Sequence, residues 1–136
     1  VAGLPIRLVF ASPTQLNGLM PDGLTEGDTN VEVSSRDRPQ HAVRPVAIVT
    51  SAPGCVAITQ DGRTLTIWAT GLGKASLSAE VGGTAAAVLY AGPSAAWDGL
   101  DQINVAIPEE VPVGEHLVSV SLLGSAPFCS RSVPLK

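Results

Sequence analysis

The chain has 136 residues, a formal net charge of −4 and 45% hydrophobic residues. This hydrophobic content argues against a disordered chain, because it supplies enough apolar side chain for a packed core. The charges are scattered and form no basic patch, which argues against nucleic acid or an anionic membrane as a partner. No apolar run approaches the ~20 residues that a membrane-spanning helix needs.

Short apolar segments separated by turn residues predict strands along the whole chain. Residues 5–11 form the first run, and it ends at the Ser12-Pro13 breaker. Six further runs follow in chain order: 64–70, 77–81, 85–91, 102–107, 116–122 and 129–135. In residues 102–107 apolar and polar side chains alternate, as expected for a half-buried strand. With turns about every ten residues and no helical apolar stripe, the sequence predicts an all-β sandwich or barrel.

An internal repeat organises these strands. The second half restates the first with the same apolar pattern and the same turn residues, so we predict two tandem copies of one sandwich motif. The residues that carry the repeat are Gln15, Asn17, Pro21 and Gly27 in the first copy, and Gln102, Asn104, Pro108 and Gly114 in the second. Their recurrence within one chain favours a structural role over a single active site.

The two predicted copies differ in completeness. We expect residues 1–50 to form an incomplete first copy, 51–63 a linker or connecting strand, and 64–136 the second copy. Strands 64–70 and 77–81 have no counterpart in the first copy, which is therefore short by roughly two strands. The first residue is Val1 rather than Met, so we expect either a removed signal peptide or a trimmed chain.

Several motifs resemble a bacterial extracellular module, the Solibacter uncharacterised C-terminal domain family, which is similar in style to IPT/TIG repeats. They are Phe10-Ala11-Ser12-Pro13-Thr14-Gln15-Leu16-Asn17, Ala52-Pro53-Gly54, Trp68-Ala69-Thr70-Gly71-Leu72-Gly73, Val88-Leu89-Tyr90-Ala91-Gly92 and Gly99-Leu100-Asp101-Gln102-Ile103-Asn104-Val105. The resemblance implies an immunoglobulin-like (Ig-like) sandwich at a bacterial cell surface or secreted from it, and no reaction. Family members usually end long multidomain proteins, and they carry strands ahead of the first Gln-x-Asn motif that are missing here.

Cys55 and Cys129 are the two cysteines of the chain. An even pair in a β chain rich in glycine and proline fits a disulfide in an oxidising compartment. The alternative is two buried free thiols.

The search for chemistry predicts no catalytic residue, cofactor or metal site. His41 and His116 lie in different sequence contexts, and neither has the nucleophile and acid that a triad needs. The acidic residues Asp22, Glu26 and Asp28 could hold Ca²⁺ weakly, but a solvated turn is the favoured interpretation.

Trp68 and Trp97 are the candidate ligand-contact residues, because exposed aromatic rings could stack on sugars. The sequence also allows Trp68 to lie in the core, which we favour, and Trp97 to pack within its loop.

The missing strands suggest a function. A sandwich without them exposes a sheet edge that recruits another strand, as in the donor-strand complementation of pili. We therefore expect a secreted structural subunit that self-associates, by a heterologous contact that could build a filament, with residues 1–11 or 128–136 as donors. The sequence also leaves open that the first copy packs against the second copy of its own chain. The alternatives are a module that binds polysaccharide or a surface protein, and a spacer domain of a larger surface protein.

Overall fold

The protein is all-β and divides into two compact units, Val1–Thr50 and Ser51–Lys136. The structure is a computed structural model that describes residues 1–136, with the side chains of 38–40 left out of the description. The strands of unit 1 are β1 (Arg7–Ala11), β2 (Leu16–Leu19), β3 (Gly27–Ser35) and β4 (Arg38–Ile48). Those of unit 2 are β5 (Gly54–Asp61), β6 (Thr64–Thr70), β7 (Leu77–Val81), β8 (Thr84–Ala86), β9 (Val88–Pro93), β10 (Asp101–Ala106), β11 (Gly114–Leu122) and β12 (Pro127–Leu135).

Unit 2 is a closed β-sandwich of two four-stranded antiparallel sheets. One sheet has the order β5-β6-β10-β9 and the other β12-β11-β7-β8. Each hairpin stays within one sheet, and the chain crosses to the other sheet between hairpins. The alternation predicted for residues 102–107 explains the packing, because Ile103, Val105 and Ile107 are buried while the residues between them are half-buried.

One hydrophobic cluster fills the space between these two sheets. Its members come from both sheets and from the loops that join them: Leu65, Ile67, Ala69, Leu72, Ala79, Val81, Ile103, Val105, Ile107, Val111, Val118, Val120, Cys129, Val133 and Leu135. Branched aliphatic side chains dominate the cluster, so the few aromatic residues of the chain are not needed to fill it. Unit 2 therefore has the core of an independent domain.

A disulfide between Cys55 and Cys129 joins β5 to β12, the edge strands of the two sheets. The Arg131 guanidinium donates to the Cys55 carbonyl oxygen at 3.1 Å. Further along the same edge, the Gln60 amide donates to the Lys136 carbonyl and accepts from its N–H, both at 3.1 Å. The pairing confirms the predicted disulfide and closes one open side of the sandwich.

Unit 1 consists of two hairpins, β1–β2 and β3–β4, each forming its own two-stranded sheet. Among its described side chains Val1 alone is buried. Leu8, Phe10, Leu16, Met20 and Val33 are all exposed. Unit 1 thus has strands, but its described side chains form no hydrophobic core.

The hairpins of unit 1 pair in the same register as the last two hairpins of unit 2. Each residue from Gly27 to Val33 on β3 has the partner on β4 that corresponds to the pairing of Gly114–Val120 with β12. In β1–β2 the register shifts between Leu8 and Phe10, and in β9–β10 the corresponding strand skips Leu89. The corresponding hairpins therefore share both register and bulge position.

Unit 1 lacks more than the sequence predicts. Within the described backbone it has four strands, where unit 2 has eight. Residues 51–63, interpreted from sequence as a linker or connecting strand, contribute β5 to the sandwich of unit 2. Strands β5, β6 and β7 have no counterpart in unit 1, and residues 4–6 of unit 1 occupy the place of β8 in the order of the chain.

Candidate functional site

In each unit the recurring Gln and Asn side chains hydrogen-bond to each other. The Gln15 side chain donates to Asn17 Oδ1 at 2.7 Å, and the Gln102 side chain donates to Asn104 Oδ1 at 3.0 Å. Asn104 also accepts from Thr66 Oγ1 at 3.3 Å, across the β6–β10 pair. The amides satisfy one another within the sheet, which supports the structural interpretation of these residues.

The recurring Pro and Gly residues bracket the loop that leads into β3 and β11. Gly27 has a φ of 130° and Gly114 a φ of 132°, a region that side chains rarely adopt. In unit 2 the Arg63 guanidinium binds the loop by donating to the carbonyls of Ile107, Pro108 and Val111. These residues shape a crossover between sheets.

Trp68 lies on the outer face of its sheet, so the core position favoured from the sequence is wrong. Its neighbours Ile67 and Ala69 are buried in the core, while Trp68 itself is half-buried and donates from Nε1 to Thr59 Oγ1 at 3.4 Å. Alternation along β6 places it on the same side as Thr66.

Trp97 lies in the loop between β9 and β10 and is 63% exposed, so it does not pack within its loop as the sequence favoured. The backbone around it is ordered by Ser94, whose Oγ accepts from the Ala96 and Trp97 N–H groups. A ring held this way offers an accessible aromatic surface.

The two histidines of the chain lie on different strands. His41 lies on β4 opposite Ser34, and His116 lies on β11 opposite Val133. Among the described side chains no three of the His, Cys, Asp and Glu residues converge as metal ligands. Of the candidate acidic residues, Asp22 and Glu26 lie between β2 and β3, and Asp28 lies on β3 itself.

The most distinctive surface of the chain is the pair of open strand edges in unit 1. Strand β2 pairs with β1 alone, and β3 pairs with β4 alone. The corresponding strands of unit 2 each have two partners, because β10 lies between β6 and β9 and β11 lies between β7 and β12. Unpaired N–H and C=O groups along such edges are a template for another strand.

The apolar residues beside these edges are exposed in unit 1 and buried in unit 2. Leu16 is 46% exposed, whereas Ile103 at the corresponding position of β10 is fully buried. Val33 is 42% exposed, whereas Val120 on β11 is fully buried. We call this surface, formed by β2, β3 and their exposed apolar residues, the open face of unit 1. The sequence predicted missing strands but gave no measure of how much core they leave uncovered.

The structure contains no helix long and apolar enough to cross a membrane, in the residues that it describes. Comparison with family models, with curated proteins and with solved structures finds no match to this chain.

Proposed function

We propose that the chain is a non-catalytic structural subunit of an extracellular assembly, in which unit 1 is completed by β-strands from other polypeptide. The observation that carries the proposal is the open face of unit 1. Two correctly registered hairpins stand there without the strands that, in unit 2, bury the corresponding residues.

Physical chemistry favours completion of such a face. Leu16, Met20 and Val33 are each about half exposed, and covering that half contributes about 1 kcal/mol per side chain. A paired strand also supplies hydrogen-bond partners to the edge N–H and C=O groups. Without such a strand these groups have no backbone partner on the open side. Two isolated two-stranded hairpins are otherwise marginal in water.

An extracellular location is supported by the Cys55–Cys129 disulfide, because such bonds persist in oxidising compartments. The resemblance to secreted bacterial Ig-like modules is consistent with this location.

The terminal segments are poor donors in the arrangement described here. Residues 1–11 contribute β1, which pairs with β2 of its own unit. Residues 128–135 belong to β12, which carries Cys129 and the buried residues Val133 and Leu135. Donating β12 to a neighbour would open the disulfide-bonded sandwich, so the completing strands are expected from polypeptide outside these segments.

Hydrogen–deuterium exchange on the whole chain tests the proposal, with unit 2 as an internal control. We expect the amides of β2 and β3 to exchange much faster than those of β10 and β11, because the second pair of strands has partners on both sides. Light scattering after size-exclusion chromatography supplies the mass. Equal protection of the two pairs in a monomer would refute the proposal.

An extracellular binding module is the second candidate, favoured by the exposure of Trp97. Glycan-array binding by the whole chain and by Trp97→Ala would test it, with Trp68→Phe as a control on the outer face of β6. Binding lost in Trp97→Ala alone would support this function over a purely structural one.

A further inference from the structure

The first four residues form a two-residue hairpin turn. Val1 donates to the Leu4 carbonyl at 2.7 Å, and the Leu4 N–H donates to the Val1 carbonyl at 2.8 Å. Ala2 and Gly3 have φ values of 47° and 77°. Positive φ at both central residues defines the type I′ turn, which joins adjacent antiparallel strands.

Unit 2 contains the same turn in a complete setting. Gly82 and Gly83, with φ values of 60° and 79°, join β7 to β8. Val81 pairs with Thr84 across this turn and with Val118 of β11 on its other side. The residue that enters the turn in unit 2 is thus the last residue of a central strand.

Val1 shares the burial of such a strand end. It is 8% exposed, and no other described side chain of unit 1 is buried. Ala2 adopts a conformation that non-glycine residues rarely take and that persists only where the surrounding structure requires it. Both features indicate a hairpin turn whose incoming strand has a defined place.

We propose that the free edge of β3 accepts an antiparallel strand that runs into Val1, made of polypeptide joined to the Val1 amino group. This inference rests on one part of the proposed function, the completion of unit 1 by further strands, and it names one of those strands. By the register of β7 on β11, Val1 lies opposite Val31, the residue before it lies opposite Glu32, and the next lies opposite Val33. On its other side the strand pairs with residues 4–6, where Pro5 fits an edge position because it has no N–H to donate.

The edge also defines the chemistry of the incoming strand. The residue opposite Val33 faces the core, as Ala79 does opposite Val120, and is therefore small and apolar. The residue opposite Glu32 faces outward. In unit 2 this position pairs Glu80 with Ser119. In unit 1 the residue that corresponds to Ser119 is Glu32, so an acidic residue in the incoming strand is disfavoured, because like charges directly opposite repel.

A chimera tests the inference. The chimera adds a copy of residues 51–80, with Cys55→Ala and Glu80→Lys, ahead of Val1 of the whole chain. The added segment supplies copies of β5 and β6, and together with Val1 a copy of β7. A matched control replaces the β7 copy by Gly and Ser residues of the same length. We expect the amides of β3 to exchange at least about tenfold more slowly in the chimera than in the control. The amides of β2 are expected to be protected in both.

An engineered disulfide between the added segment and β4 gives a second measurement that does not depend on exchange rates. Ala42 corresponds in the β3–β4 register to Cys129 of β12. A second chimera therefore retains Cys55 in the added segment and carries Ala42→Cys, and peptide mapping is expected to find these two residues bonded.

Each of three outcomes overturns the inference, and the third also overturns the proposed function. Equal β3 exchange in chimera and control, with no trapped disulfide, overturns the inference and leaves the proposed function standing. Protection of β3 in the control, with a doubled mass in light scattering, does the same by assigning the edge to a second copy. Full protection of β3 in the unmodified monomer overturns both.

Discussion

Reducing the Cys55–Cys129 disulfide should destabilise unit 2 strongly and leave unit 1 unaffected. The bond joins residues 74 apart in sequence, and the chain-entropy treatment assigns about 4 kcal/mol to a closed loop of that length. The bond lies between the two sheets at their edge strands, so its loss also releases the β5–β12 side of the sandwich. Total stabilities of domains this size are about 5–15 kcal/mol, so the change is a large fraction of the total.

Urea denaturation followed by tryptophan fluorescence measures this effect on unit 2 alone, because both tryptophans, Trp68 and Trp97, lie in unit 2. We expect a reductant to lower the free energy of unfolding by about 4 kcal/mol and the Tm by about 20 °C. The double variant Cys55→Ala/Cys129→Ala is the control and should not respond to reductant. A loss below about 1 kcal/mol would show that the reduced chain is already constrained by other contacts, and would refute the entropic reasoning.

Three further predictions concern local packing. Gly71→Ala should lower the free energy of unfolding in urea by about 2–3 kcal/mol, because its φ is +70° and the added Cβ meets a backbone carbonyl oxygen at 2.5 Å. Gly62→Ala is the control, since Gly62 also has a positive φ but has open space around it, and it should cost only about 1 kcal/mol. Equal costs would contradict the clash. In unit 1 the Ile6 side chain occupies the space of a Cβ on Gly18, so Gly18→Val should speed amide exchange in β1–β2. The double variant Gly18→Val/Ile6→Ala should return exchange to the original rate. Fast exchange in the double variant would exclude a simple size conflict. Arg63→Met should destabilise unit 2 by about 1 kcal/mol, because three loop carbonyls lose the hydrogen bonds that the guanidinium donates, although Pro108 still accepts from the Val111 N–H. An unchanged midpoint would show that water replaces the guanidinium.

The fold was largely predictable because its signals are local. Alternation at Ile103, Val105 and Ile107 identified a half-buried strand, and these residues are buried between the sheets. Turn residues such as Gly71 and Gly124 separate successive strands and adopt positive φ. The disulfide followed from an even cysteine pair in a β chain. Each of these signals reflects a constraint that acts within a few residues or on a single pair.

The candidate site was less predictable because it depends on which strands are absent. The sequence placed Trp68 in the core, although the alternation on β6 allowed the outer face that it occupies. It also left residues 51–63 as either a linker or a connecting strand, and the structure places β5 within them. An edge strand that is half-covered on both faces has no strong apolar alternation, so β5 is hard to recognise before its partners are known.

Unit 1 shows that hairpin register and core formation are separate properties of a β-sandwich. Register is set by turns, bulges and residues on adjacent strands, and unit 1 keeps the pairing seen in unit 2 from Gly27 to Val33. A core requires a second layer and central strands, and Val33 remains 42% exposed without them. Within the described backbone of unit 1, β2 pairs only with β1 and β3 only with β4. The proposed function rests on this combination of matched register and exposed apolar residues.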